Sequence, residues 1–229
     1  MNPSGSFRYS YGLVAGFLLS VGLLGHAESG YGRTKPDPET RSGLSINVRV
    51  HNYAPLSNET LTQAEIEAAE ILGKAGIEIT WTNCDTTRKD LGGAAECIQL
   101  PGPTTLFVRI LPCFGVIPGT DKQTMGFALG NLASVSIRRV SEEAAEFEVK
   151  PYEVLGPAIA HELGHLLLRR RGHSPSGIMR ARWRREDYER APLGAFKFTA
   201  EQARSIRAEV AMRVREQAAG EVVAKTAPE

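Results

Sequence analysis

One short segment of the 229-residue chain combines side chains that bind metal ions with one that can move a proton. It contains His161, Glu162 and His165 in the spacing His-Glu-x-x-His. On an α-helix, residues four apart lie about 40° apart around the axis, so both imidazoles can reach one ion at about 2.0–2.1 Å. Glu162 lies about 60° from His165 on the same helix, where its carboxylate can reach a water on that ion. The spacing therefore predicts a metal site with an adjacent general base.

A catalytic zinc site takes three protein ligands and keeps one position open. His173 is the candidate for the third ligand, because Gly172 before it can end the helix with a left-handed turn and let the chain fold back. Met179 follows in a tight turn and is expected beneath the site. The alternative third ligand is Glu186, which would make the site similar to that of the gluzincin peptidases.

These residues resemble the metzincin clan of zinc endopeptidases. The matching segments are His161-Glu-Leu-Gly-His165, then Gly-His173-Ser and Gly-Ile-Met179, and they are most similar to the matrix-metallopeptidase branch. The resemblance implies one Zn²⁺ ion, three histidine ligands, a glutamate base and a methionine under the metal. It also implies a short edge strand that pairs with an extended substrate, and the residues at that place are Gly126, Phe127, Ala128 and Leu129.

The chain departs from the clan pattern in the turn that delivers the third ligand. The clan spacing is His-Glu-x-x-His-x-x-Gly-x-x-His, whereas here residue 168 is leucine and His173 comes two positions late. The turn must therefore be longer. The tyrosine that follows the methionine in some branches is also missing, and Tyr188 is the candidate to replace it.

Alternation of apolar and polar residues predicts strands, and a period near 3.6 predicts helices. The predicted strands cover residues 45–53, 77–81, 106–111, 126–129 and 133–140. The predicted helices begin near 61, 152 and 199 and end near 73 or 76, 169 and 217, with Asn58 or Thr60 capping the first and Thr199 the last. This order predicts a single zincin-like α+β domain: a twisted mixed sheet of about five strands with an active-site helix and a C-terminal helix.

Residues 1–27 are typical of a secretory signal peptide. Arg8 is the only charge in this segment, and the apolar run after it is shorter than a membrane-spanning helix requires. We therefore expect a secreted protein, extracellular or periplasmic, with an uncleaved N-terminal membrane anchor as the alternative. Residues 28–43 are expected to be a flexible lead-in, 44–217 the metallopeptidase domain and 218–229 a flexible tail.

Export would place the three cysteines in an oxidising compartment. Cys84 and Cys97 are the expected disulfide, although the sequence leaves all three pairings open. Cys113 would then be unpaired. The cysteines are not expected to bind zinc, because no Cys-x-x-Cys spacing exists.

The chain has 27 basic and 26 acidic residues, a formal net charge of +1, which gives no reason to expect nucleic acid as a partner. The expected partner is a peptide or protein substrate, and the chain is expected to be a monomer with no membrane span after signal cleavage. The arginines between residues 169 and 185 can form a basic rim that favours acidic substrates. Alternatively, they pair with the acidic residues between Glu142 and Glu153, before the histidine helix, or simply face solvent. A secreted zinc-binding domain without catalysis is the remaining alternative.

Overall fold

The computed structural model describes residues 43–84, 94–115, 124–169 and 172–226. The predicted signal peptide and almost all of the predicted lead-in lie outside these residues. The helices and strands, in chain order, are β1 (Ser45–Asn52), α1 (Asn58–Lys74), β2 (Glu78–Asn83), α2 (Ala94–Ile98), β3 (Thr105–Leu111), β4 (Gly126–Leu129), β5 (Leu132–Ser136), α3 (Ile137–Phe147), α4 (Pro151–Leu168), α5 (Arg185–Glu189), a 3₁₀ turn (Ala191–Leu193) and α6 (Ala200–Thr226).

The five strands form one mixed sheet in the order β2-β1-β3-β5-β4. The first four are parallel neighbours, whereas β4 pairs antiparallel with β5 at the edge. A mixed sheet with helices packed on it is an α+β fold, so the predicted fold class is confirmed. Within the described residues, no helix has the length and apolarity needed to cross a bilayer.

The core lies between the sheet and two long helices, α1 and α4. It takes alternate residues of the three central strands, as expected for a sheet with one buried face; they are Ile46, Val48, Val50, Leu106, Val108, Ile110, Ala133 and Val135. The two helices meet closely at Gly156 of α4, where a Cβ would lie 2.7 Å from Glu67 Cβ and 2.9 Å from the Ala64 carbonyl oxygen. Glycine at this position therefore sets how closely α4, the helix with the histidine motif, can lie against α1.

The predicted strand over residues 133–140 is wrong in its second half. β5 ends at Ser136, and α3 begins at the next residue. The Ser136 hydroxyl accepts a hydrogen bond from the Arg139 backbone N–H at 3.4 Å, which caps the helix. The alternation of Val135 and Ile137 is typical of a strand that continues. The capping residue Ser136 does not reveal the change, because serine is found both in strands and at helix caps.

The helix ends differ from the predictions in two further places. The cap of α1 is Ser57, not Asn58 or Thr60, and its Oγ accepts from the Thr60 N–H at 3.2 Å. The last helix begins as predicted, with the Gln202 N–H donating to Thr199 Oγ1 at 3.2 Å, but it continues past residue 217 to Thr226. The short helices α2 and α5 were not predicted, since neither is long enough to show a helical period.

The expected disulfide between Cys84 and Cys97 is confirmed, with 5.7 Å between the two Cα atoms. It connects the end of β2 to the short helix α2. Cys113 is unpaired and exposed, as expected from the odd number of cysteines.

Candidate metal centre

The structure brings together the three histidines that the sequence singles out. One ring nitrogen each of His161, His165 and His173 can be chosen so that all three lie within 4.8 Å of one another. The Nε2 atoms of His161 and His165 are 3.0 Å apart. Two ligands held at about 2.0–2.1 Å from one tetrahedral ion are separated by about 3.3 Å, so this arrangement fits a metal ion.

The site is buried at one end and open at the other. His161 is 7% exposed, His165 is half-buried and His173 is exposed. Burial, together with the nearby His165 and His173 side chains, lowers the pKa of His161 to about 3, even though a hydrogen bond to the Ile178 carbonyl opposes the shift. His161 is therefore neutral, which is the form that binds metal ions.

The turn that delivers His173 is built differently from the prediction. Helix α4 ends at Leu168, and the left-handed residue after it is Arg169 with φ of 50°. Gly172 comes three residues after this cap, so the prediction that it ends the helix is wrong. Because α4 ends several residues before His173, the chain has room to turn back to the metal site despite the two extra positions.

The segment after His173 is held in place by backbone hydrogen bonds. The Ser174 N–H donates to the Met179 carbonyl at 2.7 Å, and the Ile178 N–H donates to the Lys197 carbonyl at 2.9 Å. Gly177 has φ of 72°, and a Cβ there would lie 2.5 Å from the Lys197 oxygen. This position therefore requires glycine, and the tight turn predicted before Met179 depends on it.

The carbonyl of Ile178 orients the most buried histidine. His161 Nδ1 donates to it at 2.8 Å, which leaves Nε2 free to face His165. Trp183 Nε1 donates to the same oxygen at 3.1 Å, and its ring lies edge-on to His161 with 5.7 Å between centroids. Such outer partners fix the tautomer and the ring plane of a metal ligand.

Met179 packs against the helix between the two motif histidines. It is 1% exposed, and its sulfur would lie 2.7 Å from a Cβ on Gly164. The Phe198 ring makes the same approach. Glycine at 164 therefore lets Met179 lie directly against the turn of α4 that bears His161 and His165.

Glu162 is the second buried polar group of the site. It is 5% exposed, and its Oε2 atom is buried with no hydrogen-bond partner among the described residues. Burial raises the pKa of Glu162 to about 8. A carboxyl group in this range can both take up and release a proton near neutral pH.

The glutamate touches the first residue of the edge strand. A Cβ on Gly126 would lie 2.5 Å from Glu162 Oε1 and 2.8 Å from its Cγ and Cδ. Both Gly126 and Glu162 line a cleft of about 1110 Å³, together with the rest of β4 and the three histidines. The structure thus places the four predicted edge-strand residues along the cleft that contains the histidine cluster.

Two predicted alternatives do not reach the cluster. Glu186 is exposed on α5 and is not part of the three-histidine group. Tyr188 is buried, donates its hydroxyl hydrogen to Glu143 Oε1, and packs against the rings of Phe147 and Phe196. Burial and the Glu143 carboxylate raise its pKa above the ordinary tyrosine value. Its hydroxyl is therefore committed to Glu143.

Three arginines of the cluster near the cleft are paired. Arg169 binds Glu209 at 2.9 Å, and Arg180 binds Asp187 at 2.9 Å. Arg185 lies 3.5 Å from Glu148, which belongs to the acidic stretch that the sequence indicated. Pairing therefore accounts for three arginines of the cluster, in part through acidic residues outside the predicted stretch.

Two solved structures illustrate what the chain is similar to. An archaemetzincin from Methanopyrus kandleri is 17% identical over 74% of this chain and 98% of its own, with a TM-score of 0.48. A zinc-dependent peptidase from Methanocorpusculum labreanum is 15% identical over 70% of this chain and 99% of its own, with a TM-score of 0.49. No protein-family model and no curated protein matches the chain. The activity of this chain must therefore be inferred from its own side chains.

The sequence did not predict two contributors to the site, and for Gly126 it did not predict the contact with Glu162. The Ile178 carbonyl and Trp183 act through hydrogen bonds that no spacing rule reveals. The need for glycine at residue 126 depends on how close β4 lies to α4. A signal was present only for Gly126, since a glycine inside a strand often marks a close approach of another group.

Proposed function

We propose that the protein is a zinc-dependent endopeptidase. The observation that carries this proposal is the convergence of three imidazoles beside a buried carboxylate oxygen that has no partner. Imidazole ligands suit zinc, and three protein ligands with one open position are typical of a catalytic zinc site, whereas structural sites take four. His161, His165 and His173 would hold the ion, and Glu162 would be the base.

A zinc ion held by these histidines would supply a bound water with a pKa of about 7 and would polarise the carbonyl group of a substrate. The chain's own contribution is proton transfer and positioning. Glu162 takes a proton from the attacking water at Oε2 and then releases it to the nitrogen of the leaving amine. His161, oriented through its Nδ1 bond to Ile178, keeps its Nε2 aimed at the ion.

We further propose that β4 binds the substrate as an added strand. Among the residues that the structure describes, it is the terminal strand of the sheet and pairs along one edge, with β5. An extended peptide can pair with a free strand edge through main-chain hydrogen bonds. Because Gly126 contacts Glu162, a peptide along β4 would have its carbonyl groups close to the base and the metal. A peptide can pair with a strand edge without placing its own terminus in the site, so we propose an endopeptidase.

The resemblance to the metzincin clan supports two finer parts of this proposal. The third ligand would be His173, since its ring lies 5.3 Å from that of His161 and 5.1 Å from that of His165 between centroids. Met179 would be the methionine beneath the metal, held there by its contact with Gly164. The similarity to the matrix-metallopeptidase branch remains a prediction from the sequence.

We also propose that the protein is exported. The disulfide between Cys84 and Cys97 supports this, because such bonds persist in oxidising compartments. The signal peptide over residues 1–27 remains a prediction from the sequence.

The test is the cleavage of casein by zinc-loaded Glu162→Gln protein. We expect cleavage to fall by about 10²-fold or more, because general acid–base catalysis contributes about that much, while one zinc ion per chain remains bound. Glu146→Gln is the matched control, since Glu146 also lines the cleft but is an exposed carboxylate. Unchanged cleavage by E162Q protein would refute the role of the base. Wild-type protein that binds zinc and cleaves no peptide library would instead favour a non-catalytic zinc-binding domain.

A further inference from the structure

A group of basic side chains lies on the face of the sheet opposite the core. Arg49 and His51 alternate with the buried Val48 and Val50 along β1, so they point away from helices α1 and α4. Arg109 of β3 is paired in register with His51. Neighbouring strands are about 4.8 Å apart, so these three side chains stand next to one another.

Phe107 of β3 lies on the same face of the sheet as these three basic side chains. It is paired in register with Arg49, whose guanidinium carbon lies 5.8 Å from the centre of the phenyl ring. The His51 ring lies against the same ring, with 6.3 Å between centroids and planes inclined by 27°. The group therefore consists of one phenyl ring with two guanidinium groups and an imidazole beside it.

The hydrogen bonds of this group leave donors unused. Arg49 is 5% exposed and donates from one terminal nitrogen to the Gln99 carbonyl at 2.7 Å, but its Nε is buried without a partner. Nδ1 of His51 is also buried without a partner. Arg109 donates from both Nε and Nη2 to the single hydroxyl oxygen of Ser134, at 3.3 and 3.1 Å. Every partner found here is neutral.

Charge is also uncompensated at this place. Among the described residues, no carboxylate lies within ion-pair distance of Arg49 or Arg109. Burial and the charges of both arginines lower the pKa of His51, as expected when two cationic side chains lie near the same imidazole. A buried cation without an opposite charge is unfavourable, and a bound anion would remove that cost.

We propose that Arg49, His51 and Arg109 form a binding site for an oxyanion of the phosphate or sulfate type. Such an ion has several acceptor oxygens and a charge opposite to that of the arginines. It can accept hydrogen bonds from Arg49 Nε, from His51 Nδ1 when that nitrogen carries hydrogen, and from the Arg109 guanidinium. The site is separate from the peptidase cleft, because none of its residues lines that cleft.

The test is titration of the zinc-loaded full-length protein with inorganic phosphate at constant ionic strength. Binding is measured by calorimetry, and the ring signals of His51 are followed by NMR. We expect saturable binding with a shift of the His51 signals. Arg109→Gln should weaken this binding at least about tenfold, because it removes a charge-assisted hydrogen bond. Arg138→Gln, which changes an exposed arginine on α3, should bind as wild type does.

The design separates this site from the metal centre. Phosphate bound at the zinc ion would not depend on Arg109, and casein cleavage by R109Q protein should equal that of wild type. Sulfate and phenyl phosphate are titrated in parallel: tighter binding of the ester indicates that the natural anion is carried on a larger molecule, and equal binding indicates a free ion. Wild-type protein without saturable phosphate binding, or R109Q protein with unchanged affinity, would overturn the proposal. If R109Q protein does not fold, unshifted His51 signals in wild type would overturn it equally.

Discussion

The contact between Gly126 and Glu162 makes a sharp prediction for Gly126→Ala. The added Cβ would lie 2.5 Å from Glu162 Oε1, whereas an ordinary contact between such atoms is about 3.4 Å, so the carboxylate or the strand must move by about 0.9 Å. A displacement of about 1 Å in a catalytic group costs about 10²-fold in rate. We therefore expect kcat/KM to fall about 100-fold, equivalent to about 2.7 kcal/mol of transition-state stabilisation.

The assay is cleavage of fluorescently labelled casein, with zinc content measured on the same samples. Zinc should stay at one ion per chain, because the three atoms nearest to a Cβ at residue 126 all belong to Glu162 and none to a histidine. Gly73→Ala is the matched control, since no atom lies within 4 Å of a Cβ at that position. G126A protein that cleaves casein as fast as wild type would refute the reasoning, and loss of zinc would show that the change acts on the metal centre instead.

Two further predictions concern metal affinity and stability. Trp183→Phe should raise the Kd for zinc, measured by competition with a chelator, about tenfold, because it removes one of the two donors that hold the Ile178 carbonyl. Trp81→Phe is the control: the Trp81 indole N–H has no partner among the described residues, so the Kd should not change. Burial raises the pKa of Glu65 from 4.5 to about 7. The folded state therefore binds the carboxyl proton more tightly than the unfolded state does, and the protein loses stability as the pH rises from about 4.5 to about 7. Glu65→Gln should therefore raise the Tm more at pH ~8 than at pH ~5. Glu59→Gln, on the exposed side of α1, is the control and should show no such difference between the two pH values. An equal change in Tm at both pH values for E65Q protein would contradict the raised pKa of Glu65.

Much of the fold was predictable because its signals are local. Strand β1 lies where alternation of apolar residues placed it, and β3 lies in the predicted segment between Pro103 and Pro112. Strand β4 covers the four predicted residues, and α4 carries the motif within one residue of its expected ends. The exception at β5 shows the limit of such signals. Ser136 is compatible with a strand and with a helix cap, and the choice depends on whether α3 finds a surface to pack against.

The sequence by itself determined the relation of His161, Glu162 and His165, because helical geometry fixes the relative directions of residues that are one and four positions apart. It also indicated that His173 would join them. Only the tertiary structure decided how His173 arrives: the left-handed residue Arg169 follows α4, and the turn after His173 is held by a hydrogen bond from the Ile178 N–H to the Lys197 carbonyl. The contact of β4 with Glu162 was likewise decided by packing between segments distant in the chain, and such distances are not encoded in any local period.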